Sequence, residues 1–399
     1  MSANPRYAPE FSLAIDGEKV PAALRASVTS VSMQSGLEGV DRLEISLANE
    51  GLRWLDHPLL KIDRKITLLI GYAPDPLVQM FVGEIVGHAA AFPSSGTSTL
   101  TITAQDLRHR MQRGNRVRWF AIPLPGITNK PIPEAVVAGM VAAEHGLIPL
   151  VDPVAAALAI MLGDTTTLAS VADDQIQKVI RKQPGESDYD LMARISAENG
   201  WEMIVDHSGP LGGQVLRFTS SADHLLPDIN LKYGRDLIEF NPRISTVGQI
   251  AGVSATIWQP DLKMSFTVSV GWDWDRQSLD LSISPGGASS GAGKANFTLV
   301  DKPVTRADAA RTIMGVLLPR LNKRLTGSGS TLGDPRIKAG GVLRLDGLGE
   351  KFGGLYRVTS VAHHLDSGGW RTSFEVRKEV WFGSVPLPEQ GAVPIRLSA

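Results

Sequence analysis

The chain of 399 residues contains no cysteine. Disulfides, thiolate metal sites and cysteine nucleophiles are therefore all excluded. The absence suits a reducing cytoplasm, and equally a particle that must work outside a cell. An excess of charge is also missing. Forty Lys and Arg residues face 41 Asp and Glu residues, a net charge of -1. That balance removes the main electrostatic argument for a nucleic-acid binder, and no nucleic-acid binding is expected. Long apolar runs are absent too. The most membrane-like stretch, Ala135 to Gly163, is interrupted by Glu144, His145 and Asp152 and by Pro149 and Pro153. It falls short of the ~20 apolar residues a spanning helix needs. It reads as two short amphipathic helices, and no membrane-spanning segment is expected. The opening "MSANPRYAPEFSL" has one arginine and no apolar stretch of a secretory signal.

Glycine and proline are plentiful, at 40 and 25 residues, which favours turns and a β-rich fold. The first hundred residues read as a β-meander. Apolar residues alternate at Phe11, Leu13 and Ile15, at Leu43, Ile45 and Leu47, at Ile66, Leu68 and Ile70, and at Leu100 and Ile102. Period-two alternation buries one face of each strand. Several such strands in succession suggest a closed or nearly closed barrel, which also removes exposed edges.

A basic run follows, with Arg108, Arg110, Arg113, Arg116 and Arg118. No interleaved aromatics or nucleic-acid motif accompany it, so it reads as a solvated or interface face. The next region mixes helix and strand. Val136, Met140 and Ala143 share a helical face that Gly146 ends. Asp152-Pro153 reads as an N-cap and first helical residue. In "GESDYDLMARISAENGWEMIVD", Ser187 and Asp190 have capping-box spacing, Leu191, Met192 and Ile195 form the apolar face, and Asn199-Gly200 stops the helix. Trp201, Met203 and Val205 then alternate as a strand.

β character returns from Leu237. It is interrupted by a Gly/Ser/Ala-rich linker, Ile283 to Asn296, and by an amphipathic helix capped by Thr305 and kinked by Pro319. The two β regions echo each other. Each has a strand, a glycine, Phe-x-Gly (Phe81/Gly83 and Phe352/Gly354), a long strand, a turn and a final alternating strand. The expected fold is mainly β with α+β insertions: two tube-like β-barrel domains joined by a mixed helical and β domain. The expected division is 1–110 for the first barrel and 111–236 for the connecting domain. The second barrel takes 237–382, broken by the linker 283–296 and the helix 305–325, and 383–399 forms an extended tail.

Catalytic signatures are weak. "GSGSTLG", Gly327 to Gly333, lacks the Gly-Lys-Ser/Thr of a phosphate loop and reads as a flexible loop. No Gly-x-Ser-x-Gly elbow, HExxH or EF-hand loop occurs. Trp272 and Trp274 could stack a sugar, although two indoles on one strand face are more often core. Asp188 and Asp190 sit where a helix N-terminus lowers carboxyl pKa values, the wrong direction for a general acid. His363, His364 and Asp366 lie together in sequence, but adjacent strand residues point to opposite faces and cannot readily share one ion. Nothing argues for His88, His145 and His363 as ligands from distant segments. No catalytic residue, cofactor or metal ligand is assigned.

The pattern resembles the baseplate hub proteins of contractile injection systems, including phage late-control gene D proteins and the hub-like part of VgrG. The stretches that carry it are "FVGEIVGH", "ESDYDLMARISAENGWEM", "LIEFNPRIS" and "LYRVTSVAHHLDSGGWRTSFEVRK". The second is the most specific. The family opens a helix with Ser-Asp-aromatic-Asp and ends it before Gly-aromatic, here Ser187, Asp188, Tyr189, Asp190, Gly200 and Trp201. The resemblance implies a non-enzymatic homotrimer that adapts a hexameric inner tube to a trimeric spike. It also implies contact with other baseplate components, assembly in the cytoplasm, and a place in a phage-tail-like particle. No β-helix follows the second β region, so the spike is expected to be a separate protein. The competing readings are a needle-tip cell-wall hydrolase and a carbohydrate-binding module.

Overall fold

A computed structural model describes residues 8–122, 130–153, 155–156, 181–221, 223–244, 252–259, 264–273, 278–285, 297–304, 325–379 and 395–398. The first β unit comprises β1 (Ala8–Ile15), β2 (Glu18–Lys19), helix α1 (Ala22–Ser27), β3 (Val28–Gly36), β4 (Arg42–Ala48), β5 (Lys65–Ala73), β6 (Val78–Ala91) and β7 (Thr99–Gln105). Alternation does here what period two demands: inward residues of all the main strands meet in one core with Trp54 and Phe81. Tyr72 on β5 packs 5.2 Å from Trp370 of the second β unit, so the sheet curls until its far end returns toward that unit.

The connecting unit holds β8 (Asn115–Ile122), β9 (Lys130–Pro131), α2 (Glu134–Glu144), β10 (Ile148–Val151), β11 (Arg181–Ser187), α3 (Asp188–Asn199), β12 (Glu202–Asp206) and β13 (Val215–Thr219). They form two small sheets, β11-β8-β9 and β10-β13-β12. Both helices pack into a core that includes Val137, Val141, Leu191, Ile195 and Phe218. The helical face of Val136, Met140 and Ala143 is the exposed one, with Val136 at 48% and Met140 at 46%. The buried face is Val137, Ala138, Val141 and Ala142, whose small alanines let the helix pack closely. Gly146 ends α2 at φ +76, the left-handed geometry glycine adopts without strain.

The remaining elements are β14 (Ile229–Lys232), β15 (Leu237–Ile244), β16 (Gly252–Gln259), β17 (Met264–Asp273), β18 (Ser278–Pro285), β19 (Phe297–Val304), β20 (Leu325–Leu332), β21 (Val342–Asp346), α4 (Gly349–Phe352), β22 (Gly354–Asp366), β23 (Gly369–Arg377) and β24 (Ile395–Ser398). Strands β19-β16-β17-β18-β24 make a separate five-stranded sheet; β16 to β19 are inserted between β15 and β20, and β24 follows β23 in the chain. Most of the expected linker and nearly all of the expected helix at 305–325 lie outside the described residues.

The chain is mainly β. The two expected barrels, closed or nearly closed, are not separate sheets, however. One 13-stranded sheet runs β15-β20-β23-β22-β3-β4-β7-β6-β5-β1-β2, with β14 and β21 branching from β22. Its ends do not pair with each other among the described residues. The two β units are continuous because β22 is long enough to pair with β21 at one end and with β3 at the other.

The echo in the sequence is a duplication of topology. In the first unit the strand order is β3-β4-β7-β6-β5; in the second it is β15-β20-β23-β22-β21, antiparallel throughout in both. Two β-bulges recur at matching places. One falls between Ile85 and Gly87 on β6 and between Val358 and Ser360 on β22. The other falls between Val28 and Ser30 on β3 and between Leu237 and Glu239 on β15. A bulge inserts one residue and bends its strand, so two shared bulges fix the equivalence residue by residue. They set Gly83 against Tyr356, not Gly354: the Phe-x-Gly echo found the right strands two residues out of register.

Candidate functional site

"GSGSTLG" is strand, not loop. Most of it lies in β20, flanked by β15 and β23. The glycines are there because aromatic rings cover them. A Cβ on Gly327 would lie 2.7 Å from the Phe240 ring, and one on Gly329 would lie 2.8 Å from the Phe374 ring. A strand of glycines, read locally, looks like a loop; the rings that cover it come from neighbouring strands.

The basic run is engaged throughout. Arg108 is buried and fork-bonds Asp106, with Nη2 to Oδ2 at 2.8 Å, and also meets Asp41 at 3.0 Å. Its Nη1 donates to the Met203 carbonyl at 2.9 Å, joining the first β unit to β12. Arg110 pairs with Glu84 on β6, Arg113 with Asp63, and Arg116 with Glu144. Arg118 reaches Glu144 at 2.9 Å and Asp188 at 2.6 Å. The run is an interface seam of ion pairs.

His207 extends this joint. The Val82 N–H donates to its Nδ1 at 3.1 Å, so the proton sits on Nε2, which donates to Asp41 at 2.8 Å. The ring stacks on Phe81 at 5.2 Å. Burial acts to raise the Asp41 carboxyl, but Arg108 and the His207 hydrogen bond outweigh it and hold the pKa below the usual value. A second joint fixes the other β unit. Glu202 on β12 binds Arg357 of β22, with Nε at 3.1 Å, and Arg377 of β23, with Nη2 at 2.6 Å. Glu84 and Arg357 occupy equivalent positions in the duplicated units. Arg357 binds the connecting unit directly through Glu202, whereas Glu84 holds Arg110, whose Nη1 donates to the His145 carbonyl at 3.1 Å.

The six motif residues gather at the same junction. Ser187 caps α3, accepting from the Asp190 N–H at 3.1 Å, and its hydroxyl donates to the Asp190 carboxylate at 2.7 Å. Asp188 accepts from Arg118, from Gln183 at 2.8 Å and from His145 at 2.8 Å. Burial acts to raise its pKa, but those hydrogen bonds and the charges of Arg118 and Arg116 lower it overall. The Tyr189 hydroxyl accepts from the Gly39 N–H at 2.9 Å, tying α3 to the β3–β4 turn. Gly200 stops the helix at φ +66, and the Trp201 indole donates to the Ala155 carbonyl at 2.9 Å. Asp152 opens the turn that follows it, its carbonyl accepting from the Ala156 N–H at 2.9 Å. Its carboxylate holds Arg217 at 2.9 Å, and the Ala155 N–H goes to Asp223 at 3.0 Å.

A cavity of about 280 Å³ lies where the three units meet, lined by residues such as His207, Arg217, Asp228, Lys338 and His363. Its carboxylates are occupied. Asp152 serves Arg217, Asp228 serves the Val342 N–H and His224, and Asp206 serves the Ser208 N–H. His363 is buried and fully bonded: Thr372 donates to Nδ1 at 2.9 Å, and Nε2 donates to the Ile337 carbonyl at 3.1 Å. Burial pushes its pKa down to about 4. His364 faces the other way, exposed, 3.1 Å from Asp366. His88, His145 and His363 do not converge; His88 is exposed, and His145 belongs to the Asp188 cluster. Among the described residues no His, Asp and Glu side chains group as metal ligands. No described helix is long and apolar enough to cross a membrane. Trp274 lies outside the described residues, and Trp272 is on β17. The partners the sequence did not announce are Asp41, His207, Glu202 and Arg357. Only Asp106, directly after the alternating β7, carried a local signal, as a cap to the turn that follows.

A family model described as Alg8 N-terminal domain matches residues 158–367, more than half of the chain. The chain belongs to this family. The match spans α3, Glu202 and its partner Arg357, and most of the duplicated second unit. No curated protein sequence matches the chain. Several solved structures share its fold. The prophage MuSo2 43 kDa tail protein from Shewanella oneidensis superposes with a TM-score of 0.59 at 13% identity, covering 92% of this chain and 98% of its own. A tail protein from Neisseria meningitidis MC58 gives 0.59 at 10% identity, covering 93% and 97%. An E. coli type VI secretion system component, itself described as similar to the T4 bacteriophage tail proteins gp27 and gp5, gives 0.53 at 11%, covering 96% and 79%. The Alg8 N-terminal family member described here therefore has the fold of phage tail proteins over nearly its whole length.

Proposed function

We propose that the chain is a structural baseplate hub of a contractile injection system. In this reading it is a non-enzymatic homotrimer that adapts a hexameric inner tube to a trimeric spike and transmits the puncturing force. It assembles in the cytoplasm with tube, spike and other baseplate components into a phage-tail-like particle. Residues 1–110 and 237–382 act as two tube-like barrels, 111–236 connects them, and 383–399 is a tail. Ser187, Asp188, Tyr189, Asp190, Gly200 and Trp201 hold the connecting domain in place.

The observation that carries the reading is the duplication. Two units with one strand order and two shared bulges let three copies present six similar surfaces to a six-fold tube. The ion-paired joints fit a part that must carry load, because they tie both units to one connecting domain. Sedimentation of the purified chain, alone and with tube and spike proteins, tests this. A trimer that bridges the two is expected. A chain that stays monomeric in every mixture overturns it.

A further inference from the structure

The duplicated units share one interface within the chain and leave its two halves open at the ends. Inside the chain, β22 gives residues 354–357 to β21 and residues 360–365 to β3. Its equivalent β6 gives residues 78–84 to β5, while on that same side residues 87–91 pair with nothing among the described residues. The equivalent of β3 is β15, which pairs with β20 on one side and, among the described residues, with no strand on the other. The two open edges are thus the duplicates of the two edges that are joined at the seam.

We infer that β15 of one copy pairs antiparallel with the 88–91 segment of β6 in a second copy, repeating the β3–β22 seam between chains. The bulges fix the register. His364 opposite Ser32 becomes Ala91 opposite Asn241, His363 opposite Met33 becomes Ala90 opposite Pro242, and Val361 opposite Ser35 becomes His88 opposite Ile244. Side chains support the same docking. At the seam Leu365 sits opposite Val31 and is buried in the first unit's core. Its equivalent, Phe92, is 61% exposed and is brought opposite Phe240, a member of the second unit's core. Ile238, the bulge residue on the open edge of β15, is 55% exposed. Residues 88–91 are all exposed. Pro242 withholds one N–H, so pairing there forms fewer bonds than at the internal seam. Such a head-to-tail interface closes into a ring when its rotation permits. The inference rests on the homotrimer of the proposed function for the number of copies.

The cysteine-free chain makes the register measurable. Opposed strand residues lie within disulfide reach, whereas a one-residue slip turns the side chain to the other face. Mild oxidation of the Ala91→Cys/Asn241→Cys variant is expected to give covalent oligomers up to the ring size. The single variants and Ala90→Cys/Asn241→Cys are expected to stay single chains on a denaturing gel. Hydrogen exchange on the unmodified chain gives a second readout, with amides of 88–91 and 238–244 protected on assembly. A native trimer with neither the in-register disulfide nor that protection overturns the edge pairing and leaves the hub reading standing. Protection that arises only when tube protein is added also overturns it, because the tube and not a second copy would then cover the edges. A chain that never self-associates overturns both.

Discussion

His363 illustrates how a residue that looks chemical in sequence becomes structural in the fold. Both ring nitrogens are used by neutral partners, Thr372 and the Ile337 carbonyl, and burial lowers the pKa to about 4 from 6.5. The folded state therefore binds the proton less well than the unfolded chain. Its stabilising contribution is complete above pH 6.5 and is lost as pH falls toward 4, by about 3 kcal/mol over that window. Urea midpoints measured across this range are expected to fall, and His363→Gln is expected to flatten that part of the curve. Asp188 titrates lower, below its ordinary 3.8, and its loss would follow at more acid pH. Its helix-terminal position was legible in the sequence. The histidine and arginine that hold it, 43 and 70 residues away, were not.

At the scale of elements, periodicity located the main strands of the first unit, and capping chemistry located α3 from Ser187 to Gly200. Two elements went differently, each for a tertiary reason. On α2 the exposed side carries the larger side chains, Val136 and Met140, because the buried side needs alanines to approach its neighbours closely. On β20 the glycines make room for rings from β15 and β23. Gly327→Ala places a methyl against the Phe240 ring and is expected to cost about 1–3 kcal/mol of stability. A double-mutant cycle with Phe240→Leu, followed by urea denaturation, is expected to recover part of that loss, since the shorter side chain vacates the space. Equal cost in both backgrounds would mean that the ring is not the obstacle.

The whole molecule is held by a continuous sheet and two sets of charges. Glu202 is the common partner of Arg357 and Arg377, and the Arg357 side chain is 1% exposed. Replacing Glu202 with Gln leaves a buried guanidinium without its carboxylate. The expected cost is about 3–5 kcal/mol, read as a lower urea midpoint by tryptophan fluorescence. Proteolytic nicking around 223–228, between β13 of the connecting unit and β14, is expected to rise with it. The sequence by itself determined the alternating strands of the first unit, the cap and stop of α3, and the existence of two related β regions. Those depend on sterics and burial periods that act within a few residues. Only the tertiary structure decided that β22 runs on into β3, that the arginine run is an ion-paired joint, and that two equivalent edges have no strand partner among the described residues. Such pairings join segments tens to hundreds of residues apart, and no local pattern records which partner the folded chain will bring.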